Sequence, residues 1–103
     1  MVADPGRRVI GLIGDGSFQM SAQELSTMLR YGCSGILFLL NNGGYTIEAK
    51  IHDGPYNSVQ PWKYAQLIEV FKDQAPGRGC VVRTEAELVA AVAEYNGKPE
   101  PRL

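Results

Sequence analysis

Two glycine-rich segments hold the residues of this sequence best suited to chemistry: Gly14-Asp15-Gly16-Ser17 and Asn41-Asn42-Gly43-Gly44. Glycines let a backbone approach a bulky anion closely, and N–H groups at a helix start favour phosphate. An aspartate set among them is a poor phosphate partner unless a cation sits between the two. The order from Gly11 is Gly-x-x-Gly-x-Gly, which departs from the dinucleotide fingerprint, and no P-loop lysine follows. Taken singly, each segment also reads as an ordinary tight turn, because Gly, Asn and Asp are what turns use.

The elements around the two segments make them more than turns. Val9-Ile10-Gly11-Leu12-Ile13 is a short, β-branched apolar run closed by glycines, the pattern of a buried strand. Ser21 and Glu24 have the spacing of a capping box. Ala22, Leu25, Met28 and Leu29 follow at helical spacing and Gly32 is a stop, which predicts a helix from about Ala22 to Tyr31. Gly35 to Leu40 reads as a second buried strand. Strand, helix, strand is the βαβ pattern of a parallel sheet, so the fold class is α/β. Both glycine segments then follow the C-terminal ends of adjacent strands, the edge where open α/β sheets bind ligands. Side by side they offer one carboxylate, one amide oxygen and free carbonyls. These are hard oxygen donors, suited to magnesium or calcium and unsuited to zinc or copper. Magnesium usually takes one or two protein carboxylates and completes its octahedron with phosphate and water. The residues therefore point to a magnesium–diphosphate cradle.

The remaining chain continues the α/β pattern. Tyr45 to Ile51 reads as a short helix and His52 to Pro61 as a loop. Tyr64, Leu67, Ile68 and Phe71 stand at i, i+3, i+4 and i+7, an amphipathic helix. Cys80-Val81-Val82-Arg83 predicts a short third strand. Thr84 and Glu87 form a second capping box, and Leu88, Val89, Val92 and Tyr95 give a last helix face. His52, the only histidine, reads as a hydrogen-bonded loop residue. Trp62 and Tyr64 read as packing residues, and Met20 and Met28 as core filler.

Composition narrows the function classes. The chain has 103 residues, room for one small domain and no second one. It is 45% hydrophobic and 20% charged, the balance of a soluble globular protein. Its formal charge of −1 gives no electrostatic footprint for nucleic acid or an anionic membrane. The longest apolar run, Ile36 to Leu40, falls far short of the roughly 20 residues of a membrane span. No secretory signal opens the chain. Cys33 and Cys80 lack zinc spacing and do not make a disulfide framework; they read as buried thiols in a reducing cytoplasm.

The motif Gly14-Asp15-Gly16, 24 residues from Ser17 to Leu40, then Asn41-Asn42 resembles the thiamine-diphosphate binding motif. The continuation Asn42-Gly43-Gly44-Tyr45-Thr46-Ile47-Glu48, with Ile51-His52-Asp53-Gly54-Pro55-Tyr56-Asn57 after it, resembles pyruvate decarboxylases closely. Gly16-Ser17-Phe18-Gln19 and Ala22-Gln23-Glu24-Leu25-Ser26 also fit. The resemblance runs from about Val9 to the last helix. Gly43 departs from members with a bulkier residue there.

The resemblance implies that residues 1–103 are a partial thiamine-diphosphate-binding domain, an incomplete parallel-sheet βαβ fold with its core motif at 14–48. Magnesium would be held by the Asp15 carboxylate, the Asn42 amide oxygen and the Gly44 carbonyl. Gly14, Gly16, Ser17 and Phe18 would form the diphosphate loop, partly through N–H groups. Tyr45 and Thr46 would lie against the diphosphate end, and Ile47 would shape the cofactor and the substrate pocket. Glu48 would be the catalytic carboxylate, in a dry pocket whose surroundings favour general acid work. The implied reaction is non-oxidative decarboxylation of a 2-oxo acid, pyruvate first, to an aldehyde and carbon dioxide. The implied partner is a pyrimidine-binding domain, usually from another subunit, in a homo-oligomer. That half carries the activating glutamate and the paired histidines, so this chain alone is expected to be inactive. A non-catalytic cofactor-binding module, or a truncated product with no independent function, is the alternative.

Overall fold

The computed structural model describes residue 4 and residues 6–96. Strand β1 spans Val9–Gly14 and β2 spans Gly35–Leu40. They pair in parallel, from Val9 against Gly35 to Gly14 against Leu40. Helices α1 (Asp15–Met20) and α2 (Glu24–Arg30) make the crossover between them. After β2 come α3 (Thr46–Ile51), a 3₁₀ turn at Pro55–Asn57, a second at Tyr64–Gln66 that runs into α4 (Leu67–Phe71), and α5 (Glu85–Tyr95). The mixed α/β fold with a parallel βαβ unit is the one read from the sequence.

Alternation along the strands gives the sheet two faces. Ile13, Leu37 and Leu39 pack against a core of Phe18, Ala22, Leu25, Leu29, Tyr64 and Ile68. The opposite face carries Ile10, Leu12 and Leu40, which are 62%, 75% and 57% exposed. α2 packs against α4, where Ile68 is fully enclosed. Phe18 meets Tyr64 edge to face, with ring centroids 5.8 Å apart. Gln19 Nε2 donates to the Tyr64 hydroxyl at 2.8 Å and to Gln60 O at 2.6 Å. These contacts fix α1 on the sheet edge.

Several local expectations change. The Gly14-Asp15-Gly16 segment is a strand end leading directly into a helix. Gly14 is still extended, and Asp15 is already the first helical residue. The capping box at Ser21 and Glu24 does not form, because Ser21 is the residue that ends α1. Its N–H bonds Phe18 O, its carbonyl accepts from Glu24 N, and α2 starts only at Glu24. Cys80–Arg83 joins no sheet among the described residues. Its last residue instead donates from Arg83 N to Glu87 Oε2, feeding the next helix cap, and Val81 and Val82 stay exposed. Met20 is 70% exposed and fills no core. Both thiols are free and only half-buried. The capping box at Thr84 forms with both of its hydrogen bonds, but Leu88, Val89 and Val92 remain exposed. Pro5-Gly6 reads in the sequence as a turn and Asn96-Gly97-Lys98-Pro99 as the end of the last helix; Pro5 and residues 97–103 lie outside the described residues.

Candidate cofactor and metal site

The parallel register sets Gly14 beside Leu40, so the two chain segments leave the sheet at the same edge. Asp15 is 1% exposed. A buried carboxylate needs donors for its lone pairs, and the backbone supplies them. Its Oδ1 accepts from Gly16 N at 2.8 Å, and its Oδ2 accepts from Gly43 N at 2.6 Å. The second bond ties α1 to the Asn-Gly-Gly turn across the sheet edge. The backbone of that turn favours glycine, with φ of +85° at Gly43 and +142° at Gly44. A Cβ on Gly44 would also collide with the Asn57 carbonyl.

Asn42 faces the same point. One atom of its side-chain amide lies 2.9 Å from Asp15 Oδ1 and 3.1 Å from Gly44 O; the other lies 2.8 Å from Thr46 Oγ1. With nitrogen on the inner side, the amide donates to both oxygens. With oxygen on the inner side, three oxygens converge, which is favourable only around a cation. Adjacent ligands of an octahedral magnesium, each at about 2.0–2.1 Å, stand about 3 Å apart. Both spacings match that edge length. Among the described residues no group of three or more His, Cys, Asp and Glu side chains forms, and the oxygens that converge here are one carboxylate, one amide and one carbonyl. That composition suits a hard cation completed by phosphate and water. The residues present therefore fit magnesium.

Gly14, Gly16, Ser17 and Phe18, expected from the resemblance to form a diphosphate loop, stand at the same sheet edge. The first-turn N–H groups of a helix have no partner within the helix. In α1 they open beside Asp15, and one of them, Gly16 N, is taken by the carboxylate. Gly16 is buried against the Tyr45 ring, where an added Cβ would stand 2.6 Å from Cε1. The Tyr45 hydroxyl in turn donates to Gly16 O at 3.3 Å. Ser17 is exposed beside this turn. The Phe18 side chain is buried in the core, which leaves its backbone alone for any contact with a ligand.

Helix α3 carries Thr46, Ile47 and Glu48, all exposed. Ile47 is 73% exposed and no residue of α3 is buried. The enclosed pocket expected around Glu48 is not formed by the described residues; this side of the site is open. A depression of about 340 Å³ runs along the other flank, lined by Asn42, Gly44, Lys50, Asp53 and Asn57 among others. His52 is a hydrogen-bonded loop residue, as read, with its Nδ1 2.7 Å from the Tyr56 hydroxyl. Sequence reasoning missed Asn57, which is 8% exposed and closes this loop. Nothing in its spacing marks it, because its partners are main-chain atoms.

No helix among the described residues is long and apolar enough to cross a membrane. The family model for the thiamine pyrophosphate enzyme C-terminal TPP binding domain matches residues 1–103. Pyruvate decarboxylase 1 of Oryza sativa subsp. japonica is 54% identical over 94 residues, covering 88% of this chain and 15% of that protein. Pyruvate decarboxylase 2 of Arabidopsis thaliana is 53% identical over 94 residues, covering 87% and 15%. Pyruvate decarboxylase 2 of Pisum sativum is 50% identical over 105 residues, covering 98% and 25%. The chain thus spans between about a seventh and a quarter of the length of these relatives. With residues 1–103 matched by the family model and the glycine turns joined at one sheet edge, the chain belongs to the C-terminal TPP-binding domain family of thiamine pyrophosphate enzymes.

Proposed function

We propose that this chain is the diphosphate- and magnesium-binding portion of a pyruvate decarboxylase-like enzyme, a carboxy-lyase acting on a 2-oxo acid. The observation that carries the reading is the convergence of Asp15 Oδ1, the Asn42 amide and Gly44 O at the shared C-terminal edge of two parallel strands. Asp15, Asn42 and Gly44 would hold magnesium. Gly14, Gly16, Ser17 and Phe18 would cradle the diphosphate through backbone groups, with Tyr45 and Thr46 beside it. Thiamine diphosphate, when bound, supplies the electron sink that decarboxylation needs, and the protein supplies orientation and proton control. Ile47 would press on the cofactor and the substrate. Glu48 would move protons at the carbon from which carbon dioxide leaves. The relatives' name makes pyruvate the first substrate to test.

The open flank at Ile47 and Glu48 supports a second part of the reading. A general acid works best where water is excluded and its carboxyl is held protonated. Here α3 has one side uncovered, so the pyrimidine-binding domain of another chain would complete the site. The chain alone is then a partial domain that binds cofactor and does not turn over, and the active form is a homo-oligomer. Two half-buried free thiols suit a reducing cytoplasm.

Thermal unfolding with and without magnesium and thiamine diphosphate tests this. A ligand at about 100 times its dissociation constant adds about 2.7 kcal/mol to a folded binder. A magnesium-dependent rise in Tm that Asp15→Ala abolishes is expected; a cooperative melt with no rise would remove the reading that this chain binds the cofactor alone and leave a folded module whose site needs the other half. Steady-state pyruvate turnover by the chain alone, abolished by Glu48→Gln, would refute the inactivity.

A further inference from the structure

Helix α3 has almost nothing of its own to hold it. It is six residues long, has no side-chain cap and buries no residue. Isolated helices shorter than about 12–15 residues are marginal in water. Its two ends are nevertheless tied, and to the same residue. At the N-terminal end, Tyr45 N donates to Asn57 O at 2.8 Å. At the C-terminal end, Asn57 Nδ2 donates to His52 O at 2.9 Å. The next residue, Ser58, forms a bridge with Gly44. Asn57 itself is steadied by its N–H, which bonds Gly54 O at 3.0 Å.

We propose that Asn57 is a positioning residue that clamps both ends of the helix carrying Glu48 and, through Tyr45 and Ser58, fixes the Gly44 carbonyl. The importance of those groups rests on the cofactor reading above; the clamp itself does not. Its side chain is shielded from water, so the bond to His52 O is not readily replaced by solvent. The donor is essential: His52 O accepts, so an acceptor at position 57 cannot serve. This separates a clamp from an ordinary turn former. Asp and Asn serve loop turns alike through their side-chain oxygens. They differ here, where the nitrogen is the working atom.

Amide hydrogen exchange by NMR on the 103-residue chain, without metal or cofactor, tests the clamp. The probes are the Tyr45, Ala49 and His52 amides, each donating to main-chain oxygen in this loop, with Cys33 N, which bonds Met28 O, as the reference. Asn57→Ala should speed exchange at the three probes by about tenfold or more and leave Cys33 unchanged. Asn57→Asp gives the specific signature. Its ionised carboxylate cannot donate, so near neutral pH it should behave like the alanine variant. Its protonated carboxyl can donate, so protection, corrected for intrinsic rates, should return as pH falls through the carboxyl range. Asn57→Asp matching the wild type at every pH would overturn the proposal, as would an unprotected Tyr45 amide in the wild type. Equal loss of protection at Cys33 in both variants would also overturn it, by making the effect global. A missing thermal shift with cofactor would count against the cofactor reading and leave this result standing.

Discussion

Residues 9–58 and residues 80–96 are built by opposite rules. In the first region the site-bearing helices are short and uncapped by side chains. α1 and α3 have six residues each, and neither N-cap residue makes a side-chain bond. They hold their places through bonds to chain outside the helix: Asp15 to Gly43 N, and Asn57 to both ends of α3. The second region has the best local signals in the molecule. α5 has eleven residues and a complete capping box. Yet α5 packs against no other described element, and Leu88, Val89 and Val92 stay exposed. It is moored by a few contacts near its end: Arg8 Nη1 to Tyr95 O at 3.0 Å, Arg78 to Glu94 at 3.0 Å, and the Tyr95 side chain with Cys80. Local propensity makes an element; only long-range partners place it. The Cα radius of gyration is 14.7 Å, against about 13 Å for a compact domain of this length.

The comparison breaks most readily in the core. Ile68 is fully enclosed between α4 and α2. Ile68→Ala should cost about 3 kcal/mol, from lost burial and the cavity left behind. In a small domain that is a large share of the total stability. Leu88→Ala on α5 should stay within about 0.5 kcal/mol, as for an exposed position. Urea unfolding of both variants measures the contrast, and equal losses would show that α5 is packed after all. Gly16→Ala comes next. Its Cβ would stand 2.6 Å from the Tyr45 ring, which must shift. Overpacking costs about 1–3 kcal/mol, and the better helix propensity of alanine returns up to about 1. A net loss of about 1–2 kcal/mol is expected. Because the Tyr45 ring moves, the cofactor-dependent rise in Tm should shrink as well. Unchanged stability together with an unchanged cofactor response would deny Gly16 its packing role.

What was legible in the sequence follows the same division. β1, β2, α3, α4 and the Thr84 cap all stand where short-range pattern put them, because a run of apolar residues between glycines, or a Thr-x-x-Glu, is decided within a few residues. The Ser21–Glu24 box has the same letters and failed. α1 ends at Ser21, and the Glu24 N–H that the Ser21 hydroxyl would have accepted from goes to the Ser21 carbonyl instead. α1 itself was hidden by Gly14 just before it and Gly16 inside it, which read as a turn. Its helix is stabilised by Asp15 reaching across to Gly43, a contact no window of ten residues contains. The Cys80–Arg83 segment had β-branched residues but no neighbouring strand among the described residues. A strand exists only with a partner. At the site, the convergence of Asp15, Asn42 and Gly44 was readable because the βαβ unit forces the two turns together. Asn57 was not, since its work is done on main-chain atoms.

A smaller effect sharpens the picture of α5. Thr84→Ala removes the hydroxyl that accepts from Glu87 N at 3.2 Å. Loss of such a cap costs about 1 kcal/mol. Because α5 stands apart from the core, that cost should appear as fraying of α5: a lower helical circular dichroism amplitude with the main unfolding midpoint unmoved. A midpoint that falls by the full amount would mean that α5 unfolds together with the core.

The smallest effect concerns the mooring point. Burial, followed by the hydrogen bond and charge interaction with Cys80, raises the pKa of Tyr95 above its ordinary value, while Arg78 pulls it down and Glu94 adds to the rise. A raised phenol pKa means that the folded state prefers the neutral ring. The stability this contributes is fully present below the unfolded value, about 10, and is lost as pH rises through the folded value. Alkaline titration should therefore loosen α5 before the core. The readout is faster proteolysis or lower helical amplitude within residues 85–95, with the near-ultraviolet signal of Trp62, outside α5, unchanged over the same step. Tyr95→Phe cannot ionise and should remove that step. If the phenylalanine variant shows the same alkaline step, the end of α5 is held by something other than the buried ring, and the contrast between a locally made helix and a tertiary anchor would have to be redrawn around the Arg8 and Arg78 contacts.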